Sequence, residues 1–164
     1  GRWKPVAEKL IKHYKLQDGS RVLDIGCGKG FLLYEILQIN PKIKVTGIDI
    51  SSYAIENCKE EIKNSLEVGN ATNLPYQENA FDLVFSLNTF HNLHTYDLQK
   101  ALEEISRVSK GNSYICVESY RNEEEKANLL YWQVTCEAFN TPEEWQWWFK
   151  LCNYNGDYSF IYFE

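Results

Sequence analysis

The stretch VLDIGCGKG, Val22 to Gly30, constrains this chain more than any other. A short apolar run stops at a turn holding three glycines, and FLLYEILQ follows at once with helical spacing of its apolar residues. Glycine has no Cβ, so the backbone can turn sharply there and another molecule can approach it closely. A strand, a tight turn and a helix in that order call for a parallel neighbour strand. KVTGIDI supplies one, just after the helix-stopping pair Asn40-Pro41.

The alternation continues. SSYAIENCKEEIKN reads as a helix with serines placed to cap it, SLEVGNA as a brief third strand and FDLVFSL as a fourth. YDLQKALEEISRVS carries Leu98, Leu102, Ile105 and Val108 at helical spacing, and GNSYICVESY is a turn followed by a fifth strand. NEEEKANLLYWQVTCEAF reads as one helix. TPEEWQWWFKLC is another, with Thr141 as cap, Pro142 first and acids in the first turn. YSFIYFE closes the chain as a strand apolar on both faces, hence expected to be covered on both sides. A first helix precedes all of this, with Val6, Leu10, Ile11 and Tyr14 as its apolar stripe. Strands alternating with helices imply an α/β domain with a mostly parallel sheet and helices on both faces.

With 164 residues, 44% of them hydrophobic and 24% charged, the chain fits a single globular domain. No apolar run approaches the roughly 18–20 residues of a membrane span, and GRWKPVAEKLIKHY reads as amphipathic rather than as a signal peptide. Five cysteines without a C-x-x-C pair suggest reduced thiols and the cytoplasm. The net charge of -6 hinders approach to a phosphate backbone. The one basic cluster (Arg2, Lys4, Lys9, Lys12, Lys15) reads as a solvated helix face. A small molecule is therefore the expected partner, not a nucleic acid or a membrane, and the expected assembly is a monomer or homodimer.

Ligands of such sheets bind beyond the carboxyl ends of the strands, near the point where strand order reverses. Gly26, Gly28 and Gly30 lie there, and Asp49 closes the second strand, placed to accept hydrogen bonds from ribose hydroxyls. The pair describes a nucleoside site. The spacing G-x-G-x-G is not the dinucleotide fingerprint, and Asp24, two residues ahead of the first glycine, would repel a pyrophosphate. A carboxylate beside a cation is favoured instead. S-adenosylmethionine fits, with an α-ammonium, a sulfonium, a ribose and no phosphate.

VLDIGCGKG and GIDIS resemble the first two motifs of the class I S-adenosylmethionine-dependent methyltransferases. GNATNLPYQENAFDLVFSLNTFHNL is similar to the next stretch of their small-molecule branch, usually G-D-A-x-x-L-P-F and then F-D-x-V. The resemblance covers about residues 20–118 and implies a three-layer Rossmann-like sandwich. It further implies that Asp24 and the Gly26–Gly30 loop hold the methionine end, Asp49 the ribose and Ile50 the adenine. Asn70 stands where the family usually has the acid that receives the adenine amino group, and an amide can still serve both edges of that ring. Ala71 and Asn88 join the cofactor set on the same basis. Cys27 falls within the loop but reads as a small buried residue, and Lys29 as facing solvent.

Methyl transfer asks little chemistry of the protein beyond binding and alignment. A base helps only where the acceptor must lose a proton. His91 and His94 follow the fourth strand and are the candidate bases, His91 first. A metal is not expected: the two histidines lack further ligands apart from Glu118. Tyr120, Tyr131 and Trp132 are candidate acceptor contacts in an aromatic-rich C-terminal part. One domain over 1–164 is expected, with an N-terminal helix in 1–19 and acceptor-side helices and the terminal strand in 122–164. The family's sheet has seven strands ending in an antiparallel pair; here it is either trimmed at that pair or hides a short strand near Phe139.

Overall fold

The computed structural model describes residues 1–164, which form six strands and six α-helices. They are α1 (Lys4–His13), β1 (Arg21–Ile25), α2 (Phe31–Ile39), β2 (Lys44–Asp49), α3 (Ser52–Glu56), β3 (Leu66–Val68), β4 (Phe81–Leu87), α4 (Thr95–Val108), β5 (Ser109–Glu118), α5 (Glu123–Trp132), α6 (Pro142–Leu151) and β6 (Asp157–Ile161). The strands lie in the order β3-β2-β1-β4-β5-β6. Every pairing is parallel. This is a three-layer Rossmann-like sandwich. The order reverses between β1 and β4, so the carboxyl ends of those strands open a crevice.

Apolar periodicity decides which helix covers which face. Ala7 and Leu10 of α1 and Leu33 and Ile36 of α2 are buried with Val22, Val45, Leu83 and Phe85 on one side of the sheet. Leu98, Leu102 and Ile105 of α4 and Trp145 and Phe149 of α6 are buried with Leu23, Ile25, Val84 and Ile115 on the other. Each such side chain contributes roughly 1.5–3 kcal/mol relative to exposure. The α6 face shared by Trp145 and Phe149 is buried, and Trp147 points into solvent. Thr141 caps α6 by accepting the Glu144 N–H, and Asn122 caps α5 in the same way through Glu125.

Four expectations change. The helix read over residues 51–64 is the short α3 followed by a 3-10 turn, Glu60–Ser65. The Asn57 side chain bonds back to the Tyr53 carbonyl, competing with the helical ladder, and the break lets Ile62 reach the core. The helix read over 122–139 stops at Trp132. Beyond it the chain makes tertiary bonds instead, with Glu137 and Ala138 both donating their N–H to the His91 carbonyl. No strand forms near Phe139, so the sheet has six strands and no antiparallel pair. Finally, β6 is an edge strand, with Asp157 and Tyr158 exposed rather than covered on both sides. Phe149 packs on Tyr158, but no further element lies outside the strand.

Candidate cofactor-binding site

The β1–α2 turn occupies the crevice. Gly26 and Gly28 have φ of +78° and +54°, in the left-handed region that favours glycine. Their surroundings differ. A Cβ on Gly26 would lie 2.0 Å from Thr89 Oγ1, because the β4 end closes over it. A Cβ on Gly28 would meet nothing within 4 Å, so its backbone faces open space. The Ile48 carbonyl accepts both the Gly26 and Cys27 N–H groups, stitching the turn to β2.

Asp49 holds the turn from the other side. Its Oδ2 accepts the Gly28 N–H at 2.7 Å and its Oδ1 the Ser51 N–H at 2.9 Å. Each carboxylate oxygen retains further accepting capacity. Asp24 is buried and forms no ion pair. Its carboxyl is pushed up to about 8, by burial first and by the Asp49 charge second.

A cavity of about 270 Å³ brings Asp24, Gly26, Cys27, Gly28 and Asn88 together with Trp3, Lys29, Phe31 and Leu87. Asn88 takes φ +59° at the end of β4, and its N–H bonds the Cys116 carbonyl. Gly30 lies behind the cavity as the N-cap of α2. Ile50 is exposed beside Asp49. Asn70 is exposed and its side-chain oxygen accepts from the Thr72 N–H and hydroxyl, closing a turn. Ala71 packs against the core below it. A groove of about 790 Å³ between α1 and Tyr114 and Asp157 lies at the amino-terminal end of β6, away from these strand ends.

The two histidines part company. His91 is 2% exposed. The β4–β5 ladder runs out at Leu87–Cys116, and His91 Nδ1 extends it by accepting the Glu118 N–H at 3.2 Å. Its Nε2 lies 3.2 Å from Glu118 Oε2. Burial lowers its pKa to about 4, so at neutral pH the ring is neutral and enclosed. His94 is exposed, stacked on Tyr96, with Nδ1 3.7 Å from Glu137. Tyr131 and Trp132 are exposed at the end of α5, and Tyr120 is half-buried under Lys126.

A family model described as a methyltransferase domain matches residues 16–154. The chain belongs to the class I S-adenosylmethionine-dependent methyltransferases. Among curated relatives of this methyltransferase, a tRNA (carboxymethyluridine(34)-5-O)-methyltransferase of Arabidopsis thaliana is 35% identical over 88% of this chain and 34% of its own length. A demethylmenaquinone methyltransferase of Symbiobacterium thermophilum is 32% identical over 73% of this chain and 50% of its own. The chain thus spans half or less of the length of these two relatives. The solved structure of YcgJ from Bacillus subtilis superposes with a TM-score of 0.68 at 21% identity, covering 89% of this chain and 66% of that one, which bears on the fold alone.

The residues present fit the methyltransferase cofactor. A buried carboxyl without an ion-pair partner suits the α-ammonium of S-adenosylmethionine, which would draw it into its charged form, and Gly28 leaves its backbone open to the ligand. Burial above all holds the Cys27 thiol well above its usual range, so it is an uncharged wall residue. Sequence reasoning missed the apolar wall of this cavity, Phe31, Leu32 and Leu87, and with it Lys29 and Trp3. Lys29 is half-buried in its lining rather than free in solvent, with Nζ 5.4 Å from the Tyr53 ring centroid. Trp3 reaches the cavity only because α1 packs beside α2, and an aromatic residue opening an amphipathic helix was its sole trace in the sequence.

Proposed function

We propose that this chain catalyses transfer of a methyl group from S-adenosylmethionine to an O, N or C nucleophile of a small metabolite, by in-line displacement. The observation that carries the reading is the buried, uncompensated Asp24 beside the open Gly28 backbone, an arrangement suited to a cationic nucleoside. When bound, S-adenosylmethionine supplies a methyl group on a positively charged sulfur. The protein's part is alignment: Asp24 and Lys29 for the two charges of the methionine end, Asp49 for the ribose, Ile50 for the adenine, and Asn70 and Ala71 at its rim. Holding the reactants in line contributes up to roughly 7–11 kcal/mol of barrier reduction.

The acceptor approaches past Asn88 and the ends of β4 and β5. The exposed Tyr131 and Trp132, with Tyr120, suit an apolar or planar molecule. The small-molecule names of two relatives agree with this choice, the demethylmenaquinone enzyme and a 24-methylenesterol C-methyltransferase of Arabidopsis thaliana. Five unpaired cysteines suit the reducing cytoplasm. A second reading, transfer to tRNA, is favoured by the name of the Arabidopsis relative at 35% identity. The net charge of -6 weighs against it.

The experiment is calorimetry with S-adenosylmethionine and with NAD, followed by a labelled-methyl screen of a metabolite extract and of total tRNA. Binding of the former alone and label in a small molecule are expected. Label in tRNA would select the second reading. Binding without any transfer would mark a cofactor-binding module, and absence of S-adenosylmethionine binding would remove the reading altogether.

A further inference from the structure

Outside the cofactor cavity, one buried polar group has no partner. Glu118 ends β5 with its side chain 6% exposed, and its Oε2 is enclosed without a hydrogen-bond donor. His91 Nε2 is 3.2 Å away, yet it is not aimed as a hydrogen bond to that oxygen. The other ring nitrogen is already spent on the Glu118 N–H. A buried carboxyl with unused accepting capacity is costly, and burial pushes Glu118 up to about 7.

The backbone around it is fixed. Trp145 Nε1 donates to the Glu118 carbonyl at 3.1 Å, and the Ser119 N–H donates to the Ile161 carbonyl at 2.9 Å. Two residues back, the Cys116 carbonyl takes the N–H of Asn88, a residue of the cofactor cavity. Glu118 thus stands on the ridge of strand ends that an acceptor must approach. Its charged and titratable neighbours are few. His91 faces it from the turn after β4, and Cys136 from the irregular segment 133–140. In that segment Glu137 turns to His94. Arg121, the nearest cation in sequence, is taken by Glu125 and Glu164. The segment that covers the pair is held by two bonds to the His91 carbonyl, one from Thr135 to Asn92 and one from the Ser119 hydroxyl to the Asn140 carbonyl.

We propose that Glu118 accepts the proton released when an O–H or N–H nucleophile is methylated, with His91 as the residue that positions it. The inference rests on the methyl-transfer reading and narrows its acceptors to protic oxygen or nitrogen. The balance is simple. The nucleophile's lone pair forms the bond to the methyl carbon, the carbon–sulfur pair stays on sulfur, the X–H pair stays on the nucleophile, and the proton passes to the Glu118 carboxylate. A carboxyl titrating near neutrality is better matched to that task than a surface glutamate.

The test uses the full chain and Glu118→Gln, which keeps the shape and loses the proton acceptor. Thermal unfolding and S-adenosylmethionine calorimetry should show a folded variant binding within about twofold of wild type. Labelled-methyl transfer to the metabolite extract should fall on the order of 100-fold or more and lose the acid limb of its pH–rate profile. The product should carry its methyl on oxygen or nitrogen. Independently of any acceptor, the His91 ring 15N shifts of the wild type should follow a neighbour titrating near neutral pH, and in the variant they should not. That wild-type titration stands by itself should the variant fail to fold. Transfer by the variant within threefold of wild type, a C-methyl product or a flat wild-type titration overturns the proposal. A wild type that binds no S-adenosylmethionine overturns the methyl-transfer reading, and this proposal with it.

Discussion

The amide of Gly28 donates to Oδ2 of Asp49 across 2.7 Å, locking the turn after β1 to the end of β2. One carboxylate therefore does two things. It sets the shape of the glycine turn and keeps accepting capacity on both oxygens. Asp49→Ala should weaken S-adenosylmethionine binding by roughly 1–3 kcal/mol, through lost ribose contacts and a loosened turn. Calorimetry measures it, and unchanged affinity would remove Asp49 from the site.

Asp24 links cofactor binding to pH. In the free protein its carboxyl titrates at about 8, raised by burial and then by Asp49. A bound ammonium holds it ionised, so below about pH 8 a proton must leave as the cofactor enters. Affinity should rise as pH increases from 6 toward 8, with close to one proton released per site at the acid end. The same raised value makes the unliganded fold more stable where Asp24 is protonated; that contribution is lost as pH rises from the unfolded carboxylate range through about 8. Calorimetry in buffers of different ionisation enthalpy counts the protons, and Asp24→Asn should abolish the release.

Trp3 lines the cavity together with Asp24 and Lys29. Trp3→Ala should weaken S-adenosylmethionine and S-adenosylhomocysteine, while methylthioadenosine, which lacks the amino-acid end, should bind as to wild type. Equal losses for all three ligands would mean that Trp3 acts through the fold.

The glycines of the turn should separate in the same assays. Gly26→Ala places a Cβ 2.0 Å from Thr89 Oγ1 at positive φ and should destabilise the fold, seen as a large drop in thermal midpoint. Gly28→Ala meets no protein atom and costs about 1–2 kcal/mol of backbone strain, but it fills space at the cavity. Its main effect should be on cofactor affinity.

His91→Ala should cost at least about 1–3 kcal/mol of stability by stranding the Glu118 N–H. The exposed His94→Ala should leave the thermal midpoint within a degree or two and turnover within a few-fold. Denaturant unfolding and a labelled-methyl assay distinguish these outcomes. A tenfold loss of turnover in His94→Ala would support a catalytic role for that residue.

Much of this site is local, and local features are legible in a sequence. The three glycines answer a demand for positive φ within five residues, and Asp49 follows from the end of one apolar run. The strand–helix alternation follows from apolar periodicity, which needs no knowledge of what lies across the sheet. The failures cluster where hydrogen bonds compete over distance. Residues 133–139 carry a helical pattern, yet the N–H groups of Glu137 and Ala138 are claimed by the His91 carbonyl.

The sequence by itself determined a parallel α/β sheet and placed the glycine turn and Asp49 at its switch point. Those follow from backbone freedom and side-chain period. Only the tertiary structure decided which polar groups lose water. It enclosed His91 and left Glu118 without a donor, although 27 residues separate them in the chain. It also carried Trp3 to the cofactor cavity. Burial and partnership are set by residues remote in sequence, and they determine whether a histidine is a free base or the last rung of a sheet.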